Sequence, residues 1–178
     1  MGKHELSTIA EIISISANVA PKDFGKKKFQ KLIYLVEKVG GVNLGYEYSI
    51  YFYGPYSAAL NDDLGLLVSR GLVHYEIQAY SHLIRADKEK IDQSRTSTDE
   101  SASGLTQEDR DRINEILVRF GGKSPSALEL LTTAHYVAGL LGKSKSSEAI
   151  QAGVKKIKGS KYTSREIEDA ISELSLIA

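Results

Sequence analysis

The residues of this chain best suited to chemistry are its lysines and tyrosines, and both are clustered. Lys27, Lys31 and Lys38 fall on one helical stripe with Tyr34, opposite a Phe29/Leu32/Val36 face. Three amines in a row beside a ring suit contact with phosphate, and equally suit a solvated helix face. A second basic group gathers Lys143, Lys145, Lys155, Lys156, Lys158, Lys161 and Arg165, offset by Glu148. The tyrosines peak in "IYFYGPYSAAL", residues 50 to 60, where they surround Gly54-Pro55. Such a density of rings can be core, a stacking platform for bases, or a partner-binding surface.

Hydrolytic chemistry would need a nucleophile beside a base, or a metal cage. Neither pattern is present. There is no cysteine, and the four histidines are His4, His74, His82 and His135. His74 and His82 fall on opposite faces of an expected hairpin, and His135 lies mid-helix, where a satisfied core or boundary histidine is the expectation. No His-Glu-x-x-His, Gly-x-Ser-x-Gly or phosphate-binding glycine loop occurs. "AGLLGKSKSS" contains Gly-Lys-Ser, but its upstream glycine is Gly139, too near Gly142, and a helix leads into it. Asp62-Asp63 and Glu108-Asp109-Asp111 read as solvated or first-turn carboxylates. The expectation is a non-catalytic protein with no metal and no cofactor.

The elements that must position these residues follow from periodicity. Leu6, Ile9, Ile12, Ile13 and Ile15 suggest a helix over residues 5 to 19, and Phe29, Leu32, Ile33, Val36 and Val39 a second over 26 to 39. "YEYSIYFY" alternates like a strand, with Tyr46, Tyr48, Ile50 and Phe52 facing the core and Tyr51 and Tyr53 on the other side. Gly54-Pro55 stops that strand, and Ser57 caps a third helix with Leu60, Leu64, Leu67 and Val68 inside. Residues 72–78 and 81–87 form a hairpin. Residues 88–105 are polar, and the segment 90–105 reads as a mobile loop or linker. Four helices follow. Their starts are marked by Thr106 with Asp109, Ser124-Pro125, Ser147, and Thr163 with Glu166.

The fold class is therefore α+β and mainly α. Residues 1–89 make a winged-helix-like part with a small antiparallel sheet, and 106–178 make a helical portion packed on it. The chain has 178 residues, with 23 Lys and Arg against 23 Asp and Glu, so its net charge is zero. A globally basic nucleic-acid coat is excluded, though a local basic patch is not. The early apolar stretch is interrupted by Glu11 and Ser14, and no run approaches the roughly 20 residues that span a bilayer. A cytoplasmic protein without membrane contact is expected.

The segments "KKKFQKLIYLVEK", "YSIYFYGPYSAALNDDLGLLVSRGLV" and "SALELLTTAHYV" resemble the YwgA-like family of bacteria and archaea. The Tyr-Gly-Pro-Tyr-Ser turn is the most specific piece. A more distant likeness is to the Panacea antitoxin domain, which pairs a Lys-Leu-x-Tyr helix with a Tyr-Gly-Pro turn. The first resemblance implies a compact α-rich domain without known catalysis, and the second a role in restraining a toxin.

These readings combine into one expectation: a regulatory or antitoxin-like protein-interaction module, with a toxin as one candidate partner. Tyr51 and Tyr53 are its partner anchors, and Gly54, Pro55 and Ser57 shape the turn that presents them. The alternative is a winged-helix DNA-binding regulator using Lys27, Lys31, Tyr34, Lys38, Lys155, Lys156 and Lys158. Against it, the outer stripe of helix three, Ala58, Asn61, Asp62, Gly65 and Ser69, carries no Lys or Arg. A homodimer is compatible with either.

Overall fold

The computed structural model describes residues 6–96 and 105–176, and the fold is given for those. The order is α1 (Leu6–Val19), α2 (Lys26–Lys38), β1 (Ser49–Tyr51), β2 (Gly54–Tyr56), α3 (Ala58–Ser69), β3 (Val73–Gln78), β4 (Ser81–Ala86), α4 (Lys88–Thr96), α5 (Gln107–Phe120), α6 (Pro125–Leu141), α7 (Ser147–Lys158) and α8 (Ser164–Glu173). It is a mixed, mainly helical α+β protein with two separate two-stranded antiparallel sheets.

The central element is α2. Its residues from Lys28 to Glu37 are all buried, with α1, α5 and α6 packed around it. A helix enclosed on every side usually carries only apolar residues. This one also holds Lys28, Gln30, Lys31 and Glu37, and the polar groups find partners on the chain around them. Lys28 pairs with Asp23 at 2.6 Å. Glu37 Oε1 accepts from the Gly45 and Tyr46 amides at 2.8 and 3.1 Å. Lys31 donates to the Pro55 carbonyl, and Gln30 exchanges two 3.0 Å hydrogen bonds with the Ser57 backbone. The chain from 45 to 57 is thus held along the length of α2 in antiparallel order, residue 37 to 45 and residue 30 to 57.

That clamping revises the expected strand over 46–53. Tyr46 is buried and Tyr48 partly buried, as the alternation suggests. The pleat does not continue, however. The chain reverses at Phe52-Tyr53, pairs Tyr51 with Gly54 and Ser49 with Tyr56, and leaves Phe52 90% exposed. Phe52 is a tip residue and not core, because a two-residue turn breaks the parity of the strand. Gly54 and Pro55 form the return strand rather than a stop. Ser57 does cap α3, its hydroxyl accepting from the Leu60 amide at 3.3 Å.

The second hairpin matches its expected bounds closely. His74 pairs with Arg85 and His82 with Ile77, so the two histidines do lie on opposite faces. Its strand β4 is also tied to the α1–α2 junction, where the Ile84 amide donates to the Phe24 carbonyl at 2.7 Å. Lys88–Thr96 is helical where a loop was expected. Asp87 accepts from the Lys90 amide at 3.1 Å at its start, and among its described side chains Ile91 alone is buried. Residues 97–104 of the expected mobile segment, and His4, lie outside the described residues. The later helices begin at their expected signals. Both capping boxes, Thr106/Asp109 and Thr163/Glu166, are formed reciprocally. Among the described residues no helix is long and apolar enough to cross a membrane.

Gly54 carries the tightest backbone demand at the hairpin. Its φ is +86°, and a Cβ there would lie 2.8 Å from Thr133 Oγ1 and 3.4 Å from the Glu129 carbonyl on α6. Both strain and overlap oppose a side chain. Gly54→Val is expected to lower stability by about 1–3 kcal/mol in urea denaturation. An unchanged midpoint would contradict the close approach of this strand to α6.

Candidate functional site: the aromatic hairpin and the lysine groove beneath it

The β1–β2 tip carries three consecutive rings, with Tyr51 58%, Phe52 90% and Tyr53 58% exposed. The ring of Tyr51 packs on Tyr56 at 5.2 Å between centroids, and Lys27 Nζ lies 3.8 Å from the centroid of Tyr53. Under the tip is a groove of about 500 Å³, walled by Phe29, Tyr56 and Leu64 as well as the tip rings, with Lys26, Lys27 and Lys31 among its lining. Its volume falls within the range of ligand-binding clefts.

Behind the groove sits Glu129 of α6, wholly buried. Its Oε1 accepts from Lys158 and from Lys161, each at 2.8 Å, and its Oε2 lies 3.6 Å from Lys27 Nζ. Lys158 reaches further and donates to the Phe52 carbonyl at 2.7 Å. One ammonium therefore ties the end of α7 to both α6 and the hairpin tip. Burial pushes the Glu129 carboxyl up, but the hydrogen bonds from Lys158 and Lys161 outweigh it and hold the acid below its ordinary value. Lys31 is in the opposite position. Burial, opposed by the nearby Glu129 charge and reinforced by Lys158 and Lys27, lowers its amine to about 8.

The lysine stripe expected to face solvent is thus divided. Lys27 and Lys38 keep partly exposed side chains. Lys31 and Tyr34 are 2% and 3% exposed, because α6 and the hairpin cover that side of α2. Tyr34 hydroxyl and His135 Nδ1 are 2.9 Å apart, and Tyr34 packs edge-on against Tyr48. Burial, then Tyr136, raises the Tyr34 hydroxyl, and burial, then Lys145 and Lys38, lowers His135. His135 is a paired, partly buried histidine. In the second basic group Lys155 and Lys156 are exposed, while the Lys158 side chain is 3% exposed and paired.

Sequence reasoning missed Glu129 and Gln30. Glu129 stands alone between Leu128 and Leu130 in an apolar helix, and that isolation was the available signal, since a charge amid apolar neighbours must find a counter-charge. Gln30 had no comparable mark. Among the described residues no group of His, Asp and Glu could hold a metal ion.

No family model matches the chain. It is 27% identical over 150 residues to the uncharacterised protein YwgA of Bacillus subtilis (strain 168), covering 83% of this chain and 82% of that protein. This distant relationship supports the YwgA-like resemblance over most of the length.

Removing the Glu129 charge leaves Lys158 enclosed without its counter-ion. Glu129→Gln is expected to cost about 3 kcal/mol at pH 7. Because the folded-state pKa of Glu129 is lowered, its stabilisation is present above the ordinary value of 4.5 and is lost as pH falls through the folded value. Stability curves of the wild type and the variant should therefore converge in acid. Parallel curves between pH 7 and pH 3 would contradict an ionised, paired Glu129.

Proposed function

We propose that this protein is a non-catalytic regulatory module, antitoxin-like in type, that binds a protein partner through the β1–β2 tip and the groove beneath it. The observation that carries the reading is the exposure of Tyr51, Phe52 and Tyr53 in sequence at the tip. Single exposed apolar residues are ordinary, but a contiguous aromatic group on a fixed backbone is the composition of an interface anchor. The tip is fixed from behind by Lys158 on the Phe52 carbonyl and Lys31 on the Pro55 carbonyl, so little order must be bought on binding. Lys26 and Lys27 border the same groove, which suits a partner segment that places an apolar side chain in the groove and carboxylates at its edge. The likeness to the Panacea antitoxin domain supports the antitoxin-like part of the reading.

The winged-helix-like order of α1, α2, the first hairpin, α3 and the second hairpin keeps a DNA-binding regulator as the second reading. Exposed Lys155 and Lys156 on α7 favour it. The outer face of α3 does not. Asp62 there is exposed, and Asp63 accepts from the Tyr46 hydroxyl at 2.7 Å, so no basic side chain is offered to a groove. Lys31 is buried and Lys158 is paired inside the fold, so neither reaches the backbone of a DNA duplex.

Two double variants separate these readings. Tyr51→Ala/Tyr53→Ala should abolish capture of the protein partner in pull-downs from nuclease-treated lysate, a loss of about 2 kcal/mol or more. Lys155→Glu/Lys156→Glu should retain it. Salt-sensitive duplex binding by the wild type, weakened in the lysine variant for all sequences alike, would overturn the protein-binding reading in favour of the regulator.

A further inference from the structure

The groove lining and the charges behind it carry an inference that does not depend on the protein partner. Four lysines, Lys27, Lys31, Lys158 and Lys161, surround the single carboxylate of Glu129 in a chain whose overall charge is zero. Lys158 and Lys161 are hydrogen-bonded to that carboxylate. Lys27 lies 3.6 Å from its other oxygen, and Lys31 bonds to the Pro55 carbonyl. An ammonium has three protons to donate, so one carbonyl leaves Lys31 with unused capacity. Lys27 and Lys31 line the groove, and the rest of that lining is largely aromatic and apolar.

We propose that this groove is a binding site for a small organic anion, a phosphate or carboxylate carried on a flat apolar ring. Lys27 and Lys31 receive the ionised group, and Phe29, Phe52, Tyr56 and Leu64 enclose the ring. Apolar walls with a few convergent polar groups are the composition of small-molecule clefts. A ring against Phe52 and Tyr56 gains aromatic contact, and a buried amine such as Lys31 attracts an anion more strongly than an exposed one does. The bound anion supplies the negative charge that the four lysines lack. Because Phe52 belongs both to the groove wall and to the tip, an occupied groove also changes the surface offered to a partner.

The charges that face Lys31 are Glu129 from α6, Lys158 from the end of α7, and Lys27 on its own helix. With its amine lowered to about 8, Lys31 is mostly charged at pH 7 and mostly neutral at pH 9. Anion affinity should therefore fall across that interval, and the anion should be accompanied by proton uptake near pH 8.

The test is calorimetric titration of the purified protein, without any partner, using phenyl phosphate, benzoate, inorganic phosphate and phenol as probes. Saturable binding of phenyl phosphate or benzoate, at least tenfold tighter than both inorganic phosphate and phenol, is the expected result. The stronger of the two ring-bearing probes tells phosphate from carboxylate. Lys27→Met, at a partly exposed position that leaves the fold intact, should weaken binding severalfold, and Lys31→Met at least tenfold. The affinity for benzoate, whose own charge is constant from pH 7 to pH 9, should fall over that range. No saturable binding of either ring-bearing anion, equal binding of inorganic phosphate alone, or an affinity indifferent to Lys27→Met and to pH would overturn the proposal. Failure here leaves the pull-down test of the tyrosine tip untouched, since the two are read on different molecules.

Discussion

A helix buried on all sides cannot leave polar side chains unpaired, and α2 buries Lys28, Gln30, Lys31 and Glu37. Each unpaired group would cost on the order of 1–3 kcal/mol, more if charged. The solution is spatial. Glu37, Lys31 and Gln30 bind successive points of the segment that follows, at residues 45–46, 55 and 57. Packing alone would tolerate several paths for that segment. Directional hydrogen bonds tolerate one, and the position of the β1–β2 hairpin follows from it.

Glu129 repeats the logic from the other side. It enters from α6 as a buried charge, draws Lys158 and Lys161 from the chain at and beyond the end of α7, and through Lys158 reaches the Phe52 carbonyl. A buried ion pair of this kind is weak evidence for stability, because desolvation offsets much of the attraction. What it supplies is a unique geometry. The aromatic tip can project into solvent only because its backbone is held from below by α2 and from the side by α7. Exposure of Phe52 is thus a consequence of the polar interior.

The elements whose signals are local were legible in the sequence. Thr106 with Asp109, Ser124 with Pro125, and Thr163 with Glu166 each specify a helix start within one turn, and all three helices begin there. The β3–β4 hairpin was equally legible, since alternation and turn length suffice for it. What failed was non-local. A helical wheel places Lys31 and Tyr34 opposite the apolar face, but it holds no information that α6 covers that opposite face. Alternation places Phe52 with Tyr46 and Tyr48, but the clamp at Pro55 and Ser57 turns the chain first. Among its described side chains helix α4 has one buried anchor, Ile91, too little to show a period. Tyr51 and Tyr53 were placed correctly on the exposed side, although the neighbour between them, assigned to the core, is the most exposed of the three.

Hydrogen exchange of a Gln30→Leu variant tests the dependence of the hairpin on the polar interior of α2 most directly. The substitution keeps side-chain bulk and deletes both bonds to the Ser57 backbone. The amide of Ser57 and those of the β1–β2 hairpin should lose protection by tenfold or more, while those in the middle of α6 keep theirs. Unchanged protection at residues 49–57, or an equal loss throughout the molecule, would contradict the account.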